Sequence, residues 1–404
     1  MPPTKKELAL AFLVLLTVPL LTELALLLAR VHFEPQLYIA NVDRGWSLRP
    51  GAEGEIAGEN KQFVHINLHG FRDQERSYEK PADTVRIAVL GNSWTEALQV
   101  PLEKTYSSEL ERKLNDSGCY LGKRVEVLNF GVAGYSTGQE LLTLQQEVWK
   151  YQPDEILVAL YPARDIVNNV KELNNAANPE QSPYFVYQGT ALILDDSFRL
   201  TPALRPHHIS LQKLSYDVNS HVRLLQAISA LQRTGKMRLA MSIAKDRAAI
   251  SGFDNLEYAI YAEPKQPDMQ VAWSVTEGLL VAIRNEVRAH AAALRIVNLP
   301  TRPQLIPDSA RRRELVQKLG VTDLSYAENR LTAFALKEGI LVTNLSSSLS
   351  SYAETHNVYL NGFNSRSFGT GHWNETGHRL AAAVIAADLC PGTDIAALQA
   401  KTAH

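Results

Sequence analysis

Two kinds of hydrophobic patterning run along this chain. The first is a continuous apolar block: Leu8 to Ala29 is 22 residues long and holds eleven leucines. As a helix it spans roughly 33 Å, against a hydrocarbon core of ~30 Å. Each leucine contributes roughly −0.5 kcal/mol to insertion, whereas a central charge costs up to ~3 kcal/mol. Pro19 and Glu23 oppose insertion, but Glu23 lies toward the far end, where a charge costs less. The leucines decide the balance, and a single transmembrane helix is expected over 1–30. Lys5 and Lys6 precede the block, which puts the amino terminus in the cytoplasm and residues after about 31 in the periplasm or outside the cell. A cleaved signal peptide is the other reading. No small-x-small site closes the block, which ends Leu-Leu-Leu-Ala-Arg, so an uncleaved anchor is favoured.

The second pattern is a rhythm of short apolar runs and longer amphipathic stretches. Arg86 to Leu90 reads as a buried strand stopped by Gly91, and Tyr106, Leu110 and Leu114 then recur at helical spacing. Further strands are expected at Val125–Phe130, Glu155–Leu160, Arg295–Leu299 and Leu341–Leu345. Helices are expected at about 137–150, 209–232, 270–291 and 325–338, and from Glu375 to Leu389 before Pro391-Gly392. This alternation predicts a flavodoxin-like three-layer α/β/α domain over 85–392, with five parallel strands. Residues 31–84 are rich in Gly, Pro and Asn and contain Phe63-Val-His-Ile, which suggests a strand or two packed on the main domain. The interval of about 170–270 breaks the rhythm and reads as an insertion able to cap a cleft. Residues 393–404 form a tail.

Composition narrows the chemistry. A formal charge of −2 gives no reason to expect nucleic acid as a partner. Cys119 and Cys390 are the two cysteines, and no Cys/His cluster has zinc spacing, so no metal or other cofactor is expected. In a flavodoxin-like sheet the helices ending at these cysteines share a face. With that domain outside the cytoplasm they are expected to lie close enough to bridge, two unpaired cysteines being the alternative.

Four stretches fall at the carboxyl edge of the expected sheet, where α/β folds place their ligands. Gly91-Asn-Ser93 follows the first strand. Asn129-Phe-Gly-Val-Ala-Gly134 follows the second, in a turn whose backbone N–H groups can hold an oxyanion, although Gly131 and Gly134 also serve turn geometry alone. Tyr161-Pro-Ala-Arg-Asp165 follows the third. Last comes Gly369-Thr-Gly-His372, just before the final helix, with Asn374 as its N-cap. His378 falls within that helix and reads as structural.

Taken together, these ordered blocks resemble the SGNH/GDSL hydrolase superfamily, over roughly residues 86–390. The Gly-Asp-Ser block corresponds to Gly91-Asn92-Ser93, the glycine block to Asn129–Gly134, the Gly-Asn-Asp block to Ala163-Arg164-Asp165, and the last block to His372. The resemblance implies Ser93 as nucleophile, His372 as general base and then acid, and an oxyanion site formed by Ser93, Gly134 and Arg164. Three features depart from the pattern: Asn92 replaces an Asp, Arg164 replaces an Asn, and Thr370 and Gly369 occupy the two positions where an orienting Asp usually lies. No nearby carboxylate in the sequence therefore orients His372, and a Ser–His dyad is expected.

The resemblance implies a membrane-anchored esterase or O-acyltransferase acting on acylated small molecules or cell-envelope polysaccharide. A transferring form would draw acyl groups from a membrane-bound O-acyltransferase partner. The departures motivate a rival expectation, a catalytically weakened SGNH fold serving as a binding or assembly subunit.

Overall fold

A computed structural model describes residues 3–31, 33–174, 179–232 and 256–391. The expected tail at 393–404 lies outside the described residues. The chain opens with α1 (Lys5–Leu28), whose amino end is closed by a capping box between Thr4 and Glu7. None of its residues is buried, as expected of a helix whose apolar surface is turned outward on all sides.

Two antiparallel hairpins follow: β1 (Tyr38–Asn41) with β2 (Gly45–Leu48), and β3 (Glu53–Ile56) with β4 (Gln62–His65). Too small to bury a core alone, they form one with their neighbours. Leu37, Leu48, Ala52, Val64 and Ile66 pack with Val132 and Tyr135, which come from the second glycine-bearing loop. The lead-in is thus a structural part of the main domain.

The main sheet contains β5 (Thr84–Gly91), β6 (Arg124–Asn129), β7 (Glu155–Leu160), β10 (Ala293–Asn298) and β11 (Leu341–Asn344). All pairings are parallel and the spatial order is β11-β10-β7-β5-β6. That is the flavodoxin-like order expected from the alternation. Ile87 to Leu90 and Ile156 to Leu160 are wholly buried, which accounts for their unbroken apolar runs in strands covered on both faces.

Helices cover both faces. After the short α2 (Ser93–Glu96) come α3 (Tyr106–Ser117), α4 (Thr137–Gln146) and α5 (Pro162–Asn168). Within the insertion lie the hairpin β8 (Tyr184–Gln188) and β9 (Ala191–Asp195), then α6 (Pro206–His221) and a helical stretch at 223–232. The long α7 (Pro267–Ala289) packs against α4, α5 and the β8–β9 hairpin. It is followed by α8 (Ser309–Leu319), α9 (Tyr326–Glu338), α10 (Ser346–His356) and α11 (Glu375–Leu389). The expected helix over 209–232 is interrupted at Val222, which has extended backbone angles. Within the insertion, α6 packs on β1, where Gln212 Oε1 accepts from Ala40 N (3.0 Å).

On the opposite side of the sheet from α7, α3 and α11 pack together. Cys119, just past α3, and Cys390, at the end of α11, are joined in a disulfide with their Cα atoms 6.0 Å apart.

Candidate active site

The nucleophile turn is built by local hydrogen bonding. β5 ends at Gly91, and Asn92 caps α2 by accepting the Trp94 N–H on Oδ1 (3.0 Å). Its Nδ2 donates to Asp165 Oδ1 (2.8 Å), and Asp165 Oδ2 accepts from Tyr161 N (2.5 Å). The first and third blocks are therefore tied directly. An amide at position 92 suits this pairing, because a carboxylate there would face a second carboxylate across a buried contact. Burial pushes Asp165 up to about 7. Ser93, the first residue of α2, is left partly exposed at the sheet edge.

His372 meets it from the opposite side. Its Nε2 lies 2.8 Å from Ser93 Oγ. The imidazole rests against Trp94, with ring centroids 4.9 Å apart, and Trp94 in turn packs on Tyr161 and Trp373. The backbone is pinned too: the His372 carbonyl accepts from Gly362 N (3.0 Å), and Asn374 caps α11 by accepting from Gly377 N (3.1 Å). His378 is buried in α11, and its Nδ1 accepts from Tyr106 N (3.2 Å).

The expectation that no carboxylate orients His372 is wrong. Glu59, in the turn between β3 and β4, places Oε1 2.7 Å from His372 Nδ1 and accepts the His372 N–H on Oε2 (2.7 Å). With Nδ1 facing a carboxylate, the proton belongs on Nδ1, and Nε2 presents its lone pair to Ser93. Burial pushes Glu59 up, but the hydrogen bonds and charge of His372, together with the charge of Arg302, hold it below the ordinary carboxylate range. Gly371 makes the approach feasible: φ is +68°, and a side chain at that position would collide with the Glu59 carboxylate. The turn itself is fastened by Asn60 Nδ2 donating to Gln99 O (3.0 Å). Ser93, His372 and Glu59 thus form a continuous hydrogen-bonded line of hydroxyl, imidazole and carboxylate.

The lead-in also shapes the second block. Trp46 Nε1 donates to the Ala133 carbonyl (3.0 Å), and Gly134 adopts φ of +82° directly beneath that indole. A planar trans peptide holds its N–H opposite its C=O, so the Gly134 N–H points away from Trp46. Glu96 Oε2 accepts from Ala133 N (2.9 Å), while both Glu96 oxygens accept from Tyr38 Oη (2.8 and 3.0 Å). Burial lifts Glu96 to about 7. Arg72, also buried, donates to the carbonyls of Glu96, Ala97 and Val100. Arg164 lies in the first turn of α5, partly exposed, one residue before Asp165. Among the described residues, no group of three or more His, Cys, Asp or Glu side chains is arranged to hold a metal ion.

Comparison with known proteins gives distant matches. An arylesterase of Vibrio mimicus is 29% identical over 96 residues, which span 22% of this chain and 46% of that protein. The matched stretch is thus under half the length of that relative. Among solved structures, an acetyl xylan esterase, AlAXEase, is 11% identical over 76% of this chain and 100% of its own, with a TM-score of 0.39. The lipase/acylhydrolase from Enterococcus faecalis is 13% identical over 76% and 95% of the two chains, with a TM-score of 0.37. An acetyl xylan esterase from Geobacillus stearothermophilus is 11% identical over 74% and 92%, with a TM-score of 0.36. No family model matches the chain.

Proposed function

We propose that this chain, an SGNH/GDSL hydrolase by its sheet order and the order of its blocks, is a serine esterase or O-acyltransferase acting on ester-linked acyl groups. The observation that carries the reading is the unbroken line from Ser93 Oγ through His372 to Glu59. Ser93 Oγ attacks the ester carbonyl while His372 Nε2 takes its proton. The carbonyl electron pair moves to oxygen, where the N–H groups of Ser93 and Gly134 and the side chain of Arg164 hold the developing charge. The intermediate collapses, the alcohol leaves with the proton from His372, and the acyl group stays on Ser93. A water molecule or an acceptor hydroxyl then gives its proton to His372, attacks the acyl-enzyme and releases Ser93. Glu59 keeps the imidazole in the productive tautomer and steadies it when charged.

The acylated substrate we favour is a cell-envelope polysaccharide, with α1 as anchor, the amino terminus in the cytoplasm and the catalytic domain outside. Two features support that placement: α1 is long and apolar enough to span a membrane, and the Cys119–Cys390 disulfide suits an oxidising compartment. In the transferring form a membrane-bound O-acyltransferase would supply the acyl groups. The test is p-nitrophenyl acetate hydrolysis by the full chain in detergent, beside Ser93→Ala. Loss of the nucleophile is expected to lower kcat by roughly 10³-fold or more. Equal rates in parent and variant would remove the covalent serine mechanism.

A further inference from the structure

α1 carries a carboxylate inside its apolar span, and the insertion supplies the partners. Glu23 Oε1 accepts from Arg223 N (2.9 Å) and Oε2 from Leu224 N (2.7 Å), at the start of the helical stretch 223–232. The Arg223 guanidinium reaches on to the Val31 carbonyl (2.6 Å). Glu23 sits five residues before the last residue of α1, which at 1.5 Å per residue is roughly 8 Å inside the helix end. At that depth an unpaired carboxylate is costly, and backbone N–H groups at the positive end of a helix are fitting compensation. Residues 223 and 224 therefore sit at the depth of Glu23.

The segment around them has the matching surface. On α6, Leu211, Leu214 and Val218 recur at i, i+3 and i+7 and are 61%, 61% and 44% exposed. That stripe lies opposite Gln212, whose face packs on β1. Ile228 and Leu231 extend the exposed apolar surface along 223–232, and Leu231 is 74% exposed. Only Val222 separates the two helical pieces, so the carboxyl end of α6, with Val218, stays close to the level fixed by Glu23. An exposed apolar stripe on the side of the helix turned away from the domain is surface that a membrane interface can cover.

We propose that α6 and residues 223–232 seat in the outer interface of the bilayer beside the emerging end of α1, holding the catalytic domain against the lipid surface. The proposal rests on the reading of α1 as a membrane anchor. It commits the exposed stripe to lipid, because the Glu23 contact makes the stripe continuous with the outer end of the anchor.

The test uses the full chain in vesicles of phosphatidylcholine and phosphatidylglycerol, with an NBD label on one added cysteine, the native pair being tied in its disulfide. Labels go at L214C and L231C, with L20C in α1 and L336C on the exposed surface of α9, which packs on the edge strand β11, as references. Spin-labelled phosphatidylcholine is expected to quench L214C and L231C, with a blue-shifted emission, and to leave L336C bright. Adding Glu23→Leu is expected to abolish quenching at L231C while L20C remains quenched. Bright, water-like emission at L214C and L231C alongside a quenched L20C overturns the seating but spares the anchor. A bright L20C removes the anchor and the seating with it. Emission shielded from water but unquenched by lipid assigns the stripe to a second copy or a protein partner, and equally overturns the proposal. Unchanged quenching in the Glu23→Leu background removes Glu23 as the contact that sets the depth.

Discussion

Glu59 reaches His372 from 313 positions upstream and satisfies two donors of that residue at once, the ring Nδ1–H and the backbone N–H. Only a carboxylate offers two acceptors in this geometry, since an amide presents one oxygen and one donor. Glu59→Gln is therefore expected to set an NH2 group against one of the two N–H groups and to weaken the productive tautomer. A fall in kcat of roughly 10²- to 10⁴-fold with little change in KM is expected, the range reflecting how far water replaces a partly exposed carboxylate. A variant that lowers only the thermal midpoint, leaving kcat in place, would make Glu59 a structural residue. Ser93, Gly134, Arg164 and His372 could be singled out in the sequence because each falls just past a recognisable strand or just before the last helix. Glu59 could not. Glutamate in a polar turn between two short strands is an ordinary solvated residue until the fold brings His372 beside it. Trp46 was illegible for the same reason, since its contact with Ala133 O joins segments 87 positions apart.

At the scale of elements, β5 and β7 were legible because Ile87–Leu90 and Ile156–Leu160 are wholly buried and read as unbroken apolar runs. By contrast, β6, β10 and the half-exposed edge strand β11 were legible as shorter apolar runs in the same rhythm. Helices with a periodic apolar face were legible too, as for α3, α7, α9 and α11. α8 was not, because Ser309–Leu319 carries three consecutive arginines and buries none of its residues. α10 begins Ser-Ser-Ser, a run with weak helix preference that packing overrides. The β8–β9 hairpin lies where the sequence reads as a polar insertion; it closes through the two-residue turn Gly189-Thr190 and packs on α7. The cysteine pair follows from the element order, since α3 and α11 share a face and end near one another. Replacing both cysteines by serine, or reducing them, is expected to lower unfolding stability by on the order of 2–5 kcal/mol, because a loop of 271 residues is released in the unfolded chain. A urea titration of parent and Cys119→Ser/Cys390→Ser reads this directly. The bridge lies at the far end of α11 from His372, roughly 22 Å away along a helix of 15 residues. The kcat of the folded variant at 25 °C should therefore match the parent, and a large loss would mean that the bridge acts on the site.

Across the whole molecule, the carboxyl edge of the sheet is held together by acids that burial makes reluctant to ionise. Asp73 is pushed up to about 6, and Glu96 and Asp165 to about 7. Glu140, whose side-chain oxygens find no hydrogen-bond partner among the described residues, is pushed well above the ordinary carboxylate range by burial and by the charge of Asp165. Asp73, Glu96 and Asp165 join the lead-in, the Ser93 turn and the second and third blocks, so contacts that shape the site contribute to the molecule's pH dependence. In each case the folded chain keeps its proton to a higher pH than the unfolded chain does. Their contribution is therefore complete below the ordinary carboxylate range and lost as pH rises toward and through about 7. His378 works the other way: burial lowers it to about 3, so its contribution is present above the ordinary histidine value and lost as pH falls. Four acids against one imidazole decide the sign between pH 5.5 and 7.5. The urea midpoint is expected to fall as pH rises across that window, and Glu96→Gln, which cannot ionise, should flatten the fall. A midpoint that rises from pH 5.5 to 7.5 in the parent would mean that these acids ionise freely in the folded chain. An unaltered slope in Glu96→Gln would remove Glu96 from the balance.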